Sequence, residues 1–374
     1  MLLVLLVSLL LPLSSATEQR PLLHHVLLSI TSHASSSIQR RRTYGLRQTL
    51  DVIGESWGAY VKRLTIHIHT NDPSAIDTSP FTFHADFKVF EHTNLEHPHM
   101  LAQQYKQEWA RILLHQSSSS LPSAFVYLED DMEMTGESLA AWADDTSLLE
   151  AAGLANRGFL RSFYRYEYPN QLLYPNETTP YLIDSKRMHR VHCDPELLKA
   201  QASRFSASEA DAAGGASSPK AHALQPFLGV FGNHLRWFVV PAVPYCAVTV
   251  LSATQAARWV RHPLFNESKY AGYPTREMAA NGIHYASTEP IPSLRWSEGF
   301  RVLLPVVLRD AAPRKPQLYL DPVGGVHHAS DHYLDHFMKP GRPTQAIKAA
   351  EYFLDWKPGR CYISGGYQLH SRPH

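Results

Sequence analysis

Three consecutive carboxylates, Glu129-Asp130-Asp131, directly follow the apolar run Ala124 to Leu128. A short apolar run bounded by polar residues predicts a buried strand, so the carboxylates should lie where that strand ends. In an open parallel sheet, ligands bind in the crevice beyond the carboxyl ends of the strands. Clustered negative charge is costly without a cation, and hard oxygen ligands suit Mg²⁺ or Mn²⁺. The pattern therefore predicts a metal site that can hold a diphosphate. The alternative is a solvated acidic turn that starts the following helix.

A second group of chemically active residues lies near the C-terminus. The adjacent histidines His327 and His328 follow a pair of glycines, and two Asp-His pairs come next, at His332 and His336. Imidazole is a good ligand for Mn²⁺ or Zn²⁺. This density predicts at least one metal ligand, the alternative being a histidine-rich surface segment.

The elements that must position these residues alternate along the chain. Strand candidates are residues 25–31, 64–69, 87–90, 124–128, 245–251 and 302–308, and helix candidates are 43–57, 99–115, 252–260 and 344–354. Strand–helix alternation over the first 130 residues predicts right-handed βαβ units and an α/β fold with a mostly parallel sheet. Residues 203–223 are rich in Ser, Ala and Gly, which predicts a flexible insertion within one domain spanning 22–374.

Composition narrows the classes of function. Hydrophobic residues make up 44% of the chain, charged residues 18%, and the formal net charge is +1, so we expect a globular protein without a nucleic-acid partner. Residues 1–16 are uncharged and mostly apolar and end in small residues, which predicts a signal peptide. Membrane attachment is expected only if this segment is retained as a short signal-anchor. Glycosylation sequons at Asn176 and Asn266 agree with a location in the secretory-pathway lumen, such as the Golgi or endoplasmic reticulum, or with secretion.

A strand that ends in a variant of the Asp-x-Asp motif, followed by a late histidine, resembles the GT-A-fold glycosyltransferases. The resemblance implies a Rossmann-related mixed sheet with helices on both faces. It also implies a nucleoside-diphosphate sugar donor, a glycan or glycoprotein acceptor, and Mn²⁺ or Mg²⁺ as cofactor. Carried over from the family, Asp131 becomes the metal ligand, and Glu129 and Asp130 contact the donor. One of His327 and His328 becomes the C-terminal metal ligand, with His327 preferred.

The resemblance implies further site residues. The family has an acidic residue at the start of an acceptor-side helix, which is the general base in inverting members, and Glu277 fits that place in chain order. The region after the first strand lines the nucleotide pocket in the family, so Thr31 and Arg41 are donor-binding candidates. Arg161 and Glu167 lie in an aromatic and charged segment that suits a sugar or acceptor site. The structural alternatives are a first-turn glutamate, a solvated basic turn and ordinary core or rim residues.

Two other classes of function stay open. His328, His332 and His336 are four residues apart, so on a helix they would share one face and could hold Zn²⁺ for a metal-dependent hydrolase. That interpretation leaves the carboxylates at the strand end unexplained. A non-catalytic sugar-binding protein with the same fold would bind metal or nucleotide without turnover. A serine hydrolase is disfavoured, because the sequence has no Gly-x-Ser-x-Gly elbow.

Overall fold

The structure is a computed structural model of the 374-residue chain. It describes residues 23–34, 39–81, 84–95, 98–117, 120–151, 153–168, 181–182, 227–231, 235–239, 247–262, 265, 300–311, 315–329, 347–348, 352–354, 356–357, 360–361 and 364–365. The predicted signal segment, the insertion at 203–223, both sequons, Glu277, His332 and His336 lie outside the described residues.

The described residues form short strands and a few longer helices. The strands are β1 (Val26–Ser32), β2 (Leu64–Thr70), β3 (Ala85–Glu91), β4 (Ala124–Glu129), β5 (Met132–Glu133), β6 (Phe159–Arg161), β7 (Tyr164–Glu167), β8 (Tyr181–Leu182), β9 (Phe227–Phe231), β10 (Leu235–Val239), β11 (Val248–Ser252), β12 (Arg301–Ala311), β13 (Lys315–Leu320), β14 (Gly325–His328), β15 (Ile347–Lys348), β16 (Tyr352–Leu354), β17 (Trp356–Lys357), β18 (Arg360–Cys361) and β19 (Ser364–Gly365). The helices are α1 (Gln39–Ser56), α2 (Tyr105–His115), α3 (Gly136–Ala151) and α4 (Ala253–Val260). In this described part of the chain, no helix combines the length and apolar character needed to cross a bilayer.

The central sheet has the strand order β11-β4-β1-β2-β3. Its first four strands in the chain are parallel, and β11 joins β4 antiparallel at one edge. Every residue of β1 and β2 is buried, as is typical of parallel strands covered on both faces. The predicted α/β class with a mixed, mostly parallel sheet is confirmed.

Helices cover both faces of this sheet. On one face, Val26, Leu28 and Ile30 pack in a cluster with apolar residues of α1 and α3. On the other face, Leu27 and Phe125 pack in a cluster with apolar residues of α2 and α4. Because strand side chains alternate between faces, a single strand contributes to both clusters. Fully burying one such side chain stabilises the fold by about 1.5–3 kcal/mol.

The predicted elements agree with the observed ones within a few residues around the central sheet. The helix predicted from Ser252 is confirmed in detail, because the Ser252 hydroxyl accepts from the Gln255 backbone while the Gln255 side chain accepts from the Ser252 backbone. The helix predicted over residues 344–354 is wrong, since the described residues of this range form strands β15 and β16. There, β16 pairs antiparallel with β13, so that Leu354 lies opposite Leu318. Pairing with a distant strand overrides the local helical pattern.

A second sheet has the order β15-β8-β7-β14-β5 and joins strands that are far apart in the chain. Its strand β5 begins directly after the three carboxylates, and β14 contains the adjacent histidines. A third, mixed sheet runs β19-β16-β13-β12-β10-β9, and β6 pairs with β12. The second sheet is the one that brings the two predicted groups of chemically active residues together.

Two histidines are buried on the face of β2 that packs against α2. His67 is 2% exposed and His69 is 1% exposed. Nδ1 of His69 lies 3.0 Å from Nε2 of His92, and its ring stacks on Phe90 at 5.1 Å between centroids. Burial lowers the pKa of His67 to about 4 and that of His69 to about 3. Both rings are therefore neutral at pH 7.

Acid is expected to destabilise the wild type more than a His69→Phe variant, by about 2 kcal/mol between pH 7 and pH 5. The unfolded chain takes up a proton at His69 near its ordinary pKa of 6.5, whereas the folded ring stays neutral down to about 3. Stability that depends on the neutral ring is thus complete above pH 6.5 and is lost as the pH falls. Urea unfolding at pH 7, 6 and 5 measures the difference. The same substitution at the exposed His115 should keep the wild-type dependence, and equal slopes for His69→Phe and wild type would contradict the expectation.

Candidate functional site

The carboxyl ends of β1 and β4 meet at the centre of the sheet. In the parallel register between these strands, Thr31 lies opposite Glu129. From β1 the chain continues to β2 and β3 on one side and then returns to β4 on the other side, so the strand order reverses between β1 and β4. In open α/β sheets, this point of reversal opens a crevice that binds ligands. Two of the predicted donor-binding residues therefore lie at the edge of this crevice.

Helix α1 holds the acidic turn that follows β4. The backbone N–H of Asp130 donates to the carbonyl of Thr31 at 3.2 Å. The hydroxyl of Thr49 lies 3.0 Å from the Asp130 carbonyl and 3.2 Å from the Met132 carbonyl, to which it can donate. A Cβ atom at Gly45 would lie 3.1 Å from the Asp130 carbonyl oxygen, so the missing side chain lets the helix approach the turn. These contacts fix the backbone that carries the carboxylates.

Strand β14 brings a histidine to this turn. It pairs antiparallel with β5, so that His328 lies opposite Met132, and the Ala329 N–H donates to the Asp131 carbonyl at 2.7 Å. Nε2 of His328 lies 3.3 Å from Oδ2 of Asp131. The His328 side chain is 4% exposed, whereas that of Asp131 is 28% exposed. The pair therefore joins a buried imidazole to a carboxylate that reaches solvent.

The other ring nitrogen of His328 contacts a second carboxylate. Glu167, the last residue of β7, is fully buried, and its Oε1 lies 2.5 Å from Nδ1 of His328. Burial by itself lowers the pKa of His328, but the hydrogen bonds with Asp131 and Glu167 outweigh this effect and raise the pKa to about 9. The ring lies between two carboxylates, which favour its charged form when no ion is bound.

His327 and His328 project from opposite faces of β14, because side chains alternate along a strand. Nδ1 of His327 lies 2.8 Å from Oε2 of Glu133, its neighbour on β5. The His327 ring stacks on Tyr166 at 5.5 Å between centroids. His327 is the preferred late metal ligand on sequence grounds, but the structure places His328 beside Asp131 and pairs His327 with Glu133.

Two glycines allow tyrosine rings to pack across the start of β14. A Cβ atom at Gly325 would lie 2.9 Å from ring atoms of both Tyr164 and Tyr166. A Cβ atom at Gly324 would lie 2.6 Å from the ring of Pro305. Any side chain at these positions would force its neighbours apart. The glycine pair before the histidines therefore serves close packing, which fixes where β14 lies.

The Asp131–His328 pair fits part of a metal site. Two adjacent ligands of an octahedral Mg²⁺ or Mn²⁺ lie about 3 Å apart, which is close to the observed 3.3 Å. A metal-bound histidine commonly donates its other N–H to a carboxylate, as His328 does to Glu167. Within the described ranges, no three His, Cys, Asp or Glu side chains are grouped so that they could hold a metal ion. Because Mg²⁺ and similar ions keep waters and bind substrate phosphates, two protein ligands suit an ion that is shared with a diphosphate.

The remaining predicted site residues, Arg41, Glu277 and Arg161, are not shown to contact Asp131 or His328. Arg41 lies near the start of α1, just after β1, but its side chain is outside the described part of the structure. Glu277 lies outside the described residues altogether. Arg161 is fully buried, with Nε 3.3 Å from Oδ2 of Asp145 on α3. Its guanidinium is therefore part of a buried ion pair and is not exposed to a sugar or acceptor.

The partners of the two histidines are not predictable from the sequence alone. Glu167 lies in a mixed aromatic and charged segment, and no sequence motif marks Glu133. The signal in the sequence was the alternation of aromatic and charged residues over 164–167, which puts Arg165 and Glu167 on one face of β7. That alternation predicts a face with charged residues, but it does not identify the strand that lies next to it.

No protein-family model matches the chain, and a search of curated proteins finds no significant match. The function is therefore inferred from the geometry of the site. The strongest feature for this purpose is the contact between Asp131, just beyond the end of β4, and His328, which lies almost 200 residues later in the chain.

Proposed function

We propose that the protein is a metal-dependent glycosyltransferase of the GT-A type, which transfers a sugar from a nucleoside-diphosphate donor to a glycan or glycoprotein acceptor. The observation that carries the proposal is the 3.3 Å contact between Asp131, just beyond β4, and His328 on β14. The position of Asp131 beside the reversal of strand order supports a bound nucleotide, since this is where open α/β sheets bind such ligands.

In this proposal Asp131 and His328 hold Mn²⁺ or Mg²⁺. The bound ion would supply the positive charge that stabilises a departing diphosphate. Glu129 and Thr31 are neighbours on β4 and β1 at the carboxyl edge of the sheet, where Glu129 can orient the donor, while the buried hydroxyl of Thr31 lies 3.1 Å from the Tyr127 hydroxyl. Asp130 is buried, and the hydrogen bond that its carbonyl accepts from Thr49 helps to fix the positions of the neighbouring carboxylates, Glu129 and Asp131.

The acceptor side of the proposal depends on residues at the start of a predicted helix. Glu277 is the proposed base, which takes the proton of the acceptor hydroxyl as the sugar is transferred. Its support is its position in the chain, between the acidic motif and the histidines. The apolar start of the chain and the two sequons support action in the lumen of the secretory pathway.

Mn²⁺ together with one nucleoside diphosphate is expected to stabilise the wild type, and Asp131→Asn is expected to abolish this effect. A ligand that binds only the folded protein adds about 2.7 kcal/mol at 100 times its dissociation constant. The amide keeps the shape of the side chain but loses the negative charge that binds the ion. Thermal unfolding with Mn²⁺ and a panel of uridine, guanosine, cytidine and adenosine diphosphates measures the effect and identifies the nucleotide.

The matched control is Asp86→Asn, which makes the same change on β3, where Asp86 forms an exposed ion pair with Arg63. This variant should respond to Mn²⁺ and nucleotide as the wild type does. A wild type that ignores every nucleotide, but is stabilised by Zn²⁺ in a manner lost in His332→Ala, would sink the proposal in favour of a histidine-centred hydrolase. Nucleotide binding without release of diphosphate from any sugar nucleotide would instead indicate a non-catalytic sugar-binding protein.

A further inference from the structure

We propose that Glu167 is a positioning residue for the metal site, which orients His328 so that its Nε2 points to the position shared with Asp131. The inference rests on the proposed function, because it takes Asp131 and His328 as ligands of one ion. It adds a residue that contacts neither the ion nor the substrate and acts only through the histidine.

The geometry places a carboxylate on each side of one ring. Strand β7 runs parallel to β14, with Tyr166 opposite His327, so Glu167 lies beside His328. Its Oε1 is 2.5 Å from Nδ1, while Nε2 lies 3.3 Å from Oδ2 of Asp131. A ring that is rotated by half a turn would lose both contacts. The arrangement therefore selects one orientation of the imidazole.

Burial sets this carboxylate apart from the one that contacts the neighbouring histidine. The Glu167 side chain is 0% exposed and that of His328 is 4% exposed, whereas His327 and Glu133 are 18% and 15% exposed. Burying an ion pair costs several kcal/mol per ion in desolvation, and apolar residues of similar size are often at least as stable in its place. A contribution to stability is thus a weak explanation for the presence of the fully buried Glu167 beside His328.

Positioning gives the buried carboxylate a role. By accepting a hydrogen bond from Nδ1–H, Glu167 keeps the proton of a neutral ring on Nδ1 and the lone pair on Nε2, the nitrogen that faces Asp131. The same hydrogen bond raises the basicity of the ring as a ligand and removes the entropy cost of ordering it when an ion binds. Loss of such a partner typically weakens metal binding by about 10- to 100-fold.

The test measures Mn²⁺ binding directly and requires no turnover. Free Mn²⁺ is followed by electron paramagnetic resonance during titration of the wild type and Glu167→Gln. Glu55→Gln makes the same change at an exposed position of α1 and serves as the control. The dissociation constant is expected to rise by about 10- to 100-fold in Glu167→Gln and to stay at the wild-type value in the control.

A second measurement reports the ligand itself. Pulsed electron paramagnetic resonance detects an imidazole nitrogen bound to Mn²⁺, and its coupling should weaken in Glu167→Gln while a structural change elsewhere would leave it. Should Glu167→Gln match the wild type in both affinity and coupling while Asp131→Asn abolishes binding, Glu167 has no positioning role although the proposed function stands. No Mn²⁺ binding by the wild type would overturn the proposed function itself.

The wild type alone gives a further check, which holds even if Glu167→Gln does not fold. In the Mg²⁺-loaded protein, nitrogen-15 chemical shifts of His328 should show the proton on Nδ1 and the metal on Nε2. The opposite assignment, with the proton on Nε2, would overturn the role of Glu167. Glu167→Asp keeps the charge on a shorter side chain and should restore part of the affinity that Glu167→Gln loses.

Discussion

Replacing Asp145 by alanine is expected to lower the free energy of unfolding by about 3–5 kcal/mol. Asp145 on α3 and Arg161 on β6 form an ion pair in which both side chains are 0% exposed. Removing the carboxylate leaves the guanidinium in the interior without the negative charge of Asp145. The guanidinium also lies 4.2 Å above the ring of Phe163, and its Nη2 donates to the Val323 carbonyl at 3.3 Å, so several contacts hold it in the interior. Urea unfolding at pH 7 measures the loss.

The exposed pair of Arg63 and Asp86 offers the matched control. Its side chains are 63% and 62% exposed, so Asp86→Ala should change the free energy of unfolding by only about 0–1 kcal/mol. The double variant Asp145→Leu, Arg161→Met should recover most of the stability, because it removes both buried charges together. If Asp145→Ala costs no more than Asp86→Ala, the buried pair does not stabilise the fold in the way its burial implies.

Replacing His328 by leucine is expected to lower the free energy of unfolding by about 3–5 kcal/mol. The same change is expected to abolish Mn²⁺ binding. The charged imidazole is the group that contacts the fully buried Glu167 carboxylate at 2.5 Å. Leucine fills similar space but provides no N–H for this carboxylate and no lone pair for an ion. Urea unfolding and Mn²⁺ titration by paramagnetic resonance, on the same preparations, measure the two losses.

A double variant separates stability from function at this position. In His328→Leu, Glu167→Leu the buried charges are both gone, so stability should return toward that of the wild type while Mn²⁺ binding stays absent. His327→Leu is the control on the other face of β14, where the pair with Glu133 is partly exposed, and it should lose less stability and keep Mn²⁺. Retained Mn²⁺ affinity in the double variant would show that His328 is not a ligand.

Much of the central sheet was predictable from local patterns. The apolar run before Glu129 predicted β4, and the apolar–polar alternation over residues 64–69 predicted β2, although both faces of β2 are buried in the structure. The acidic turn at the end of β4 was equally readable, since a strand that ends in carboxylates must present them at the carboxyl edge of the sheet. The placement of Thr31 and Glu129 at that edge follows from the same patterns.

The candidate site depended on contacts that local patterns do not contain. Adjacent histidines on a strand point to opposite faces, so choosing between His327 and His328 requires knowing which face of β14 meets the acidic turn. The structure brings β14 to β5 and β7, and only then does His328 meet Asp131. Glu167 and His328 lie 161 residues apart in the chain, and the sequence around one of them does not indicate that it contacts the other.

The sequence by itself determined the α/β class, the strands on either side of the crevice between β1 and β4, and the carboxylates at the edge of this crevice. The tertiary structure decided which histidine joins them, which buried glutamate contacts that histidine, and that Phe353 and Leu354 pair with β13 and do not form a helix. The physical reason is the range of the interactions involved. Burial period and capping act between residues a few positions apart, whereas strand pairing and the pairing of buried charges are settled by distant segments that meet only when the chain folds.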